Sequence, residues 1–393
     1  MNFEHRVIDD SPPCGRLFGC HATDLTGNGR PDVVVGGTGA EKLPILGRSG
    51  APLVGRLFRR LEKDLFWYEN PGWERHVISP RSDLRALGTT MGDVTGNGRL
   101  DLFVGQGLGG RDLYWFEQPP DPREPWTEHH LGSPFEKYHD LAFGDVDGDG
   151  EPELVGASQR SETVFYYDVP DDPTRSPWPA DCRHVLARDT HAEGLAIADL
   201  DGDGREELLA GTDVYRRAAA VEQPRSGAAV ETDGGVTADG WERESIVDGW
   251  KWTRVAVADL DGDGDPEVVL SEGDSPLLGG DAGRVAWFDP PEWTPHRLAE
   301  DLYCPHTLQV ADFDGDGSPD VYVAEMGHGR EDGQARHLLF RNRGDGRFEE
   351  TVVERGVPTH EAKAVDVDGD GRIDLVGKSY GADAHVDVWY NRP

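Results

Sequence analysis

Asp145-Val146-Asp147-Gly148-Asp149-Gly150-Glu151-Pro152-Glu153 recurs seven times in recognisable form, starting at Asp24, Asp93, Asp145, Asp199, Asp259, Asp312 and Asp366. Each copy reads Asp-x-(Asp/Thr)-Gly-(Asp/Asn)-Gly-x-x-(Asp/Glu) and runs into a short apolar stretch such as Val33-Val34-Val35 or Leu208-Leu209. The copies stand 69, 52, 54, 60, 53 and 54 residues apart, a period close to that of propeller blades and too long for most helical solenoids.

Each repeat reads as four strands. In the third, Leu141-Ala142-Phe143 precedes the Asp loop and Glu153-Leu154-Val155 follows it; Val164-Phe165-Tyr166-Tyr167 and Arg183-His184-Val185-Leu186 complete the unit. These runs are short, β-branched and aromatic, and no copy carries a sustained helical period. The chain stops after a third-strand pattern, Trp389-Tyr390-Asn391, and opens with a fourth-strand pattern, Phe3-Glu4-His5-Arg6-Val7-Ile8. The expected fold is therefore an all-β, seven-bladed propeller of four-stranded blades spanning residues 1–393 as one domain. Residues 3–9 would form the outer strand of the last blade, closing the ring and removing a bare sheet edge. Insertions fall at 38–64, 212–240 and 325–336. The first carries Lys42, Arg48, Arg56, Arg59, Arg60 and Lys63, a locally basic segment that reads as a solvated loop or as a lid for an anionic ligand. Residues 223–240 are rich in small residues and read as a mobile loop.

The formal charge is −36, from 75 acidic against 39 basic residues, and only six of the basic ones are Lys. Such a surface fits a halophilic protein, because the screening length falls to about 3 Å at 1 M salt and self-repulsion fades. An ordinary acidic calcium-binding surface is the plainer alternative. Nucleic acid and anionic membranes are excluded as partners by the charge. Cys14, Cys20, Cys182 and Cys304 show no CxxC spacing and read as reduced thiols. No apolar run is long enough to span a membrane, and the first residues lack the basic and apolar regions of a signal peptide. A cytoplasmic location is the expectation, or a secreted one if the sequence is a mature form.

The loops place oxygen donors at alternate positions, turn on glycine and close on an acid at position nine. Hard oxygen clusters of this kind suit Ca²⁺, which takes about 6–8 oxygens at about 2.3–2.6 Å. The candidate ligands are Asp24, Thr26, Asn28 and Asp32; Asp93, Thr95, Asn97 and Asp101; Asp145, Asp147, Asp149 and Glu153; Asp199, Asp201, Asp203 and Glu207; Asp259, Asp261, Asp263 and Glu267; Asp312, Asp314, Asp316 and Asp320; and Asp366, Asp368, Asp370 and Asp374. Thr and Asn in the first two copies lower the charge of those loops; Asx-rich turns without metal are the alternative reading. The start resembles an EF-hand loop, but the β-type run that follows excludes that fold.

These loops resemble the FG-GAP or VCBS repeat family, as in integrin-type α-subunit propellers and many microbial ones. The resemblance implies that each loop joins the innermost strand to the second on one face, with structural Ca²⁺ in up to seven loops. It implies no reaction.

Chemistry is then expected at the opposite mouth, built from the starts of first strands and the ends of second strands. Counting back six residues from each leading Asp gives Phe18, Leu87, His139, Glu193, Thr253, His306 and His360. Lys137, Tyr138, Asp140, His191, Arg254, Glu361 and Lys363 lie close by, and the second-strand ends add Arg160, Glu272, Glu325, His328, Lys378 and Tyr380. His139, His191, His306 and His360 recur near matching offsets and form the candidate pocket. A lone His at a strand start is ordinarily structural, and His76, His129, His184 and His296 on the fourth strands are read that way, as is the Trp stripe.

Two chemistries fit. Imidazoles with Glu193 or Glu325 would hold a transition ion such as Zn²⁺, to which Cys20-His21 and Cys304-Pro305-His306 add only weak spacing. Alternatively His and Tyr138 would act as base and acid while Arg254 or Lys363 neutralises a substrate carboxylate. The second plan resembles that of propeller-type polysaccharide lyases and of propeller sugar dehydratases. The favoured function is a lyase or dehydratase eliminating from an acidic, uronic-acid-containing sugar. The rivals are a non-catalytic propeller that binds a protein or glycan, and a structural scaffold.

Overall fold

A computed structural model describes residues 2–38, 63–107, 109–217, 240–380 and 384–393. They form seven antiparallel sheets of four strands each, one sheet per repeat. In blade 3 the strands are Tyr138–Gly144, Glu153–Ser158, Thr163–Asp168 and Arg183–Arg188, ordered from the channel outwards. The innermost strands of successive blades touch one another, and that of blade 7 touches that of blade 1. Among the described residues no helix is long and apolar enough to cross a membrane.

The ring closes as the two chain ends require. Asn2–Asp9 pairs antiparallel with Val386–Arg392, with His5 opposite Trp389, and so supplies the outer strand of blade 7. His5 also stacks on Trp389 at 4.9 Å and bonds Asp387 through Nε2 at 2.9 Å. The same device recurs where His76, His129 and His296 lie on Trp67, Trp115 and Trp287 with centroids 4.5, 4.1 and 3.8 Å apart, and where His184 lies on Tyr166 at 4.6 Å. The outer-strand histidines therefore pack the blade edges.

Apolar side chains of facing blades form a cluster at each seam, such as Val34, Trp67, Leu102 and Phe116 between blades 1 and 2. The residue after each leading Asp plugs its seam: Leu25, Val94, Val146, Leu200, Leu260, Phe313 and Val367 are all buried. Its N–H donates to the ninth-position acid, for example Leu25 to Asp32 at 3.0 Å and Leu260 to Glu267 at 2.5 Å. In blades 1, 2, 6 and 7 that acid is Asp, and its other oxygen accepts the N–H of Asn70, Gln118, Asn342 or Asn391. The amide side chain then reaches the neighbouring blade, as Asn342 does to the Leu260 carbonyl at 2.7 Å and Asn391 to that of Phe313 at 2.7 Å. The loop thus stitches blades together as well as turning the chain.

None of the four cysteines forms a disulfide. Of the first insertion only Thr38, Lys63 and Asp64 are described, so Lys42, Arg48, Arg56, Arg59 and Arg60 lie outside the described residues, as do 218–239 of the second. Residues 325–336 are held by Glu325, whose carboxylate accepts from Arg336, Arg330 and the N–H of Tyr303 at 2.9, 3.0 and 3.0 Å.

Candidate functional site

The Asp loops leave the innermost strands on one face. Their leading carboxylates cradle backbone amides: Asp145 accepts from Gly148 and Gly150 at 2.8 and 2.9 Å, which requires left-handed backbone at both glycines. One oxygen each from Asp259, Asp261, Asp263 and Glu267 lies within 4.8 Å of the others, and Asp145, Asp147 and Glu153, Asp199, Asp201 and Asp203, and Asp312, Asp314 and Asp316 form similar clusters. Hard oxygens at these separations fit a Ca²⁺ ion. The longer Glu153 and Glu267 side chains join their clusters, whereas Asp32, Asp101, Asp320 and Asp374 spend both oxygens on the seam contacts described above.

At the opposite end, register shifts between Leu17 and Cys20, Ala86 and Gly88, and Tyr138 and Asp140 drop Phe18, Leu87 and His139 out of the ladders. All three line the channel mouth. Left-handed backbone at Arg85, Lys137 and Trp252, immediately before the innermost strands, sets this turn, and their carbonyls accept from Gly107, Gln159 and Gly273 at 2.8, 2.9 and 3.0 Å. Gly88 lies against the His139 backbone, where a Cβ would come within 3.1 Å of the Tyr138 oxygen, so a side chain here would push the backbones of blades 2 and 3 apart by a few tenths of an ångström.

The mouth holds a cavity of about 20 Å³ lined by His139, Asp140, Arg254, His306, His360 and Glu361, with Phe18, Leu87 and Thr89. Tyr380, His360, His306 and His139 form a row with successive ring centroids 5.1, 3.9 and 5.8 Å apart. His306 Nδ1 donates to the His360 carbonyl oxygen at 2.8 Å, which leaves the lone pair on Nε2, a buried atom with no hydrogen-bond partner. His360 Nδ1 instead faces Lys378 Nζ, which also donates to the Leu17 carbonyl at 3.0 Å, so with Lys378 protonated the His360 proton sits on Nε2.

Burial, then neighbouring cations and imidazoles, hold His139, His306 and His360 well below the ordinary histidine range, so all three are neutral at pH 7. Burial also brings Lys378 down to about 7 against the pull of Glu361. Burial alone would raise Glu361, but Lys363, Lys378 and Arg254 hold it down to about 2. Arg254 pairs with Asp140 at 3.2 Å and Lys363 with Glu361 at 2.8 Å.

Of the eight candidate catalytic residues, His139, His306, His360 and Arg254 line one cavity. Lys363 stands beside it through Glu361, and Glu193 is buried behind His139 at 3.6 Å. His191 does not join them: it is exposed in the connection before Leu195–Ala198. Tyr138 does not either; its hydroxyl donates to the Arg111 carbonyl at 2.8 Å and its ring packs on Phe165 in the seam between blades 2 and 3. Glu325 is tied to Arg330 and Arg336 and is a loop anchor rather than a ligand beside the histidines. Asp274, buried near Glu193, was not singled out by the sequence, because it lies in a blade 5 loop with no counterpart at the same offset.

A wider cleft of about 690 Å³ opens beside blade 5, lined by Lys251, Trp252, Glu272, Leu278, Arg284 and Glu300 among others. Trp252 is two residues from Arg254, so cleft and mouth share one strand start.

A family model described as FG-GAP-like repeat matches residues 93–156, 145–210 and 312–377, and one described as FG-GAP repeat matches 252–286. No curated protein sequence matches the chain. Among solved structures, the Photorhabdus luminescens Tc holotoxin pore is similar at 17% identity and a TM-score of 0.37, over 79% of this chain and 14% of that one. The nidogen/laminin complex aligns at 12% identity and 0.40, covering 73% and 92%, and the V. cholerae biofilm matrix protein Bap1 at 12% and 0.43, covering 99% and 70%. The repeat matches and the sevenfold arrangement of blades together identify the chain as an FG-GAP repeat seven-bladed β-propeller.

Proposed function

We propose that the channel mouth opposite the acidic loops is the active site of a carbon–oxygen lyase or dehydratase acting on an acidic, uronic-acid-containing sugar. The observation that carries this reading is the stacked pair His306 and His360, in which His306 Nε2 keeps a lone pair and, while Lys378 is protonated, His360 Nε2 carries a proton. His306 Nε2 takes the proton from the carbon bearing the carboxylate. The bond from the adjacent carbon to oxygen breaks, a carbon–carbon double bond forms, and His360 Nε2–H supplies the proton to the leaving oxygen. Arg254 faces the carboxylate whose charge grows during proton removal. The cavity itself has room for about one water, so the reacting edge of the sugar enters as the lining side chains part, and the blade 5 cleft has room for neighbouring units.

Ca²⁺ in the acidic loops is structural in this reading, at the opposite face. The charge of −36 fits work in concentrated salt, so the unfolding midpoint should rise from dilute buffer to molar KCl; a falling midpoint would count against a halophilic origin.

The test is turnover of uronic-acid oligosaccharides by the unmodified protein and by His306→Gln. Loss of turnover with the melting temperature nearly unchanged supports the reading. Equal loss of both makes the histidines framework residues. A protein that binds the saccharide without turning it over favours the non-catalytic alternative.

A further inference from the structure

Behind His139 stand two buried acids that the acid–base reading leaves unused. Glu193 is fully buried just ahead of the innermost strand of blade 4, and Asp274, 8% exposed, lies in the loop after Glu267–Glu272 of blade 5. One potential ligand atom from each of His139, Glu193 and Asp274 lies within 4.8 Å of the other two. Gln159 Nε2 donates to Glu193 Oε1, and Lys137 Nζ donates in turn to Gln159 Oε1. That chain fixes the carboxylate and leaves Oε2 3.6 Å from His139 Nε2. Glu193 Oε2 and His139 Nδ1 are both buried without a hydrogen-bond partner.

A buried carboxylate oxygen with no donor is costly. Asp274 adds a second carboxylate against Glu193 and the imidazole, a group that a cation would stabilise together. A ligand carboxylate already oriented by an amide matches the support that metal sites require. We propose that His139, Glu193 and Asp274 bind one divalent first-row transition ion of the zinc or manganese type at the inner wall of the mouth. Mixed imidazole and carboxylate donors select such ions, whereas the all-oxygen loops on the other face favour Ca²⁺. The cavity of about 20 Å³ beside His139 has the volume of about one water, enough for a further ligand on the ion. Gly194, whose Cβ would come within 2.7 Å of the Thr253 carbonyl oxygen, lets blades 4 and 5 approach closely and so brings Glu193 and Asp274 together.

This assignment stands apart from the elimination reading, since an ion can bind whether or not a sugar is turned over. The full-length protein, with its loops first saturated with Ca²⁺, is titrated with Co²⁺ and followed by visible absorption and by metal analysis after desalting. A single retained Co²⁺ per chain, displaced by Zn²⁺ and weakened at least about tenfold in Glu193→Gln and Asp274→Asn, is expected. No retained Co²⁺, or retention unaltered in both variants, overturns it. If the variants misfold, anomalous scattering from Zn²⁺-soaked crystals of the unmodified protein decides. A peak about 2.0–2.1 Å from a His139 nitrogen supports the site, and peaks only at the acidic loops overturn it.

Discussion

His306 Nδ1 donates to the backbone carbonyl of His360 at 2.8 Å while the two rings stack at 3.9 Å, so adjacent blades fix each other's imidazoles. Lys378 completes the arrangement by facing His360 Nδ1 from a fully buried position. Lys378 is a positioning residue here, since it does not line the cavity. Lys378→Met keeps the volume and removes the donor, so kcat on an acidic oligosaccharide should fall about 10- to 100-fold with KM little altered. An unchanged kcat would separate Lys378 from the His360 tautomer.

Chelation should lower the melting temperature reversibly, because an ion that binds only the folded loops stabilises by about 2.7 kcal/mol at a hundredfold excess over its Kd. Asp261→Asn, in the loop where four carboxylates converge, should reduce the Ca²⁺-dependent part of that shift. A melting temperature indifferent to both chelation and Ca²⁺ would mean that the loops are turns held by their own amide bonds.

Asn342 donates to the carbonyls of Leu260 and Pro319 and takes its N–H to Asp320, joining blades 5 and 6. Asn342→Ala strands two carbonyls at a seam and should cost about 1–3 kcal/mol in the denaturant midpoint. No shift would show that water replaces the amide there.

His5 joins the N-terminal strand to Asp387, whose hydrogen bond raises the imidazole above its usual value despite partial burial. Burial alone would raise Asp387, but His385 and His5 together hold it low. The contribution of His5 is complete below the unfolded histidine value, about 6.5, and is lost as pH rises through the higher folded value. That of Asp387 is lost only as pH falls through its depressed carboxylate value. The stability of His5→Gln relative to the unmodified protein should therefore be about 1 kcal/mol lower at pH 6 and recover toward parity at alkaline pH. A pH-independent difference would leave stacking on Trp389 as the only role of His5.

The architecture was legible because a loop repeated at near-constant spacing converts sequence offset into radial position. That ruler placed His139, His306 and His360 at one mouth, and the split fourth-strand pattern at the chain ends foretold the seam at His5 and Trp389. It could not separate neighbours. Tyr138 and His139 are adjacent, but the bulge sends one into the seam and the other into the channel. His191 sits two residues before the offset position at Glu193 and turns to solvent there. Asp274 has no repeat counterpart, so only folding brings it to Glu193. The exchange of Asp for Glu at position nine was visible, but its meaning needed the amides of Asn70, Gln118, Asn342 and Asn391, which bind Asp where it occurs.

The most direct measurement is ultraviolet absorbance during incubation with a panel of uronic-acid oligosaccharides, in high salt with Ca²⁺. Elimination at His306 and His360 predicts a steady rise from the unsaturated sugar, absent in His306→Gln. No rise across the panel, or an equal rise from the variant, would contradict it.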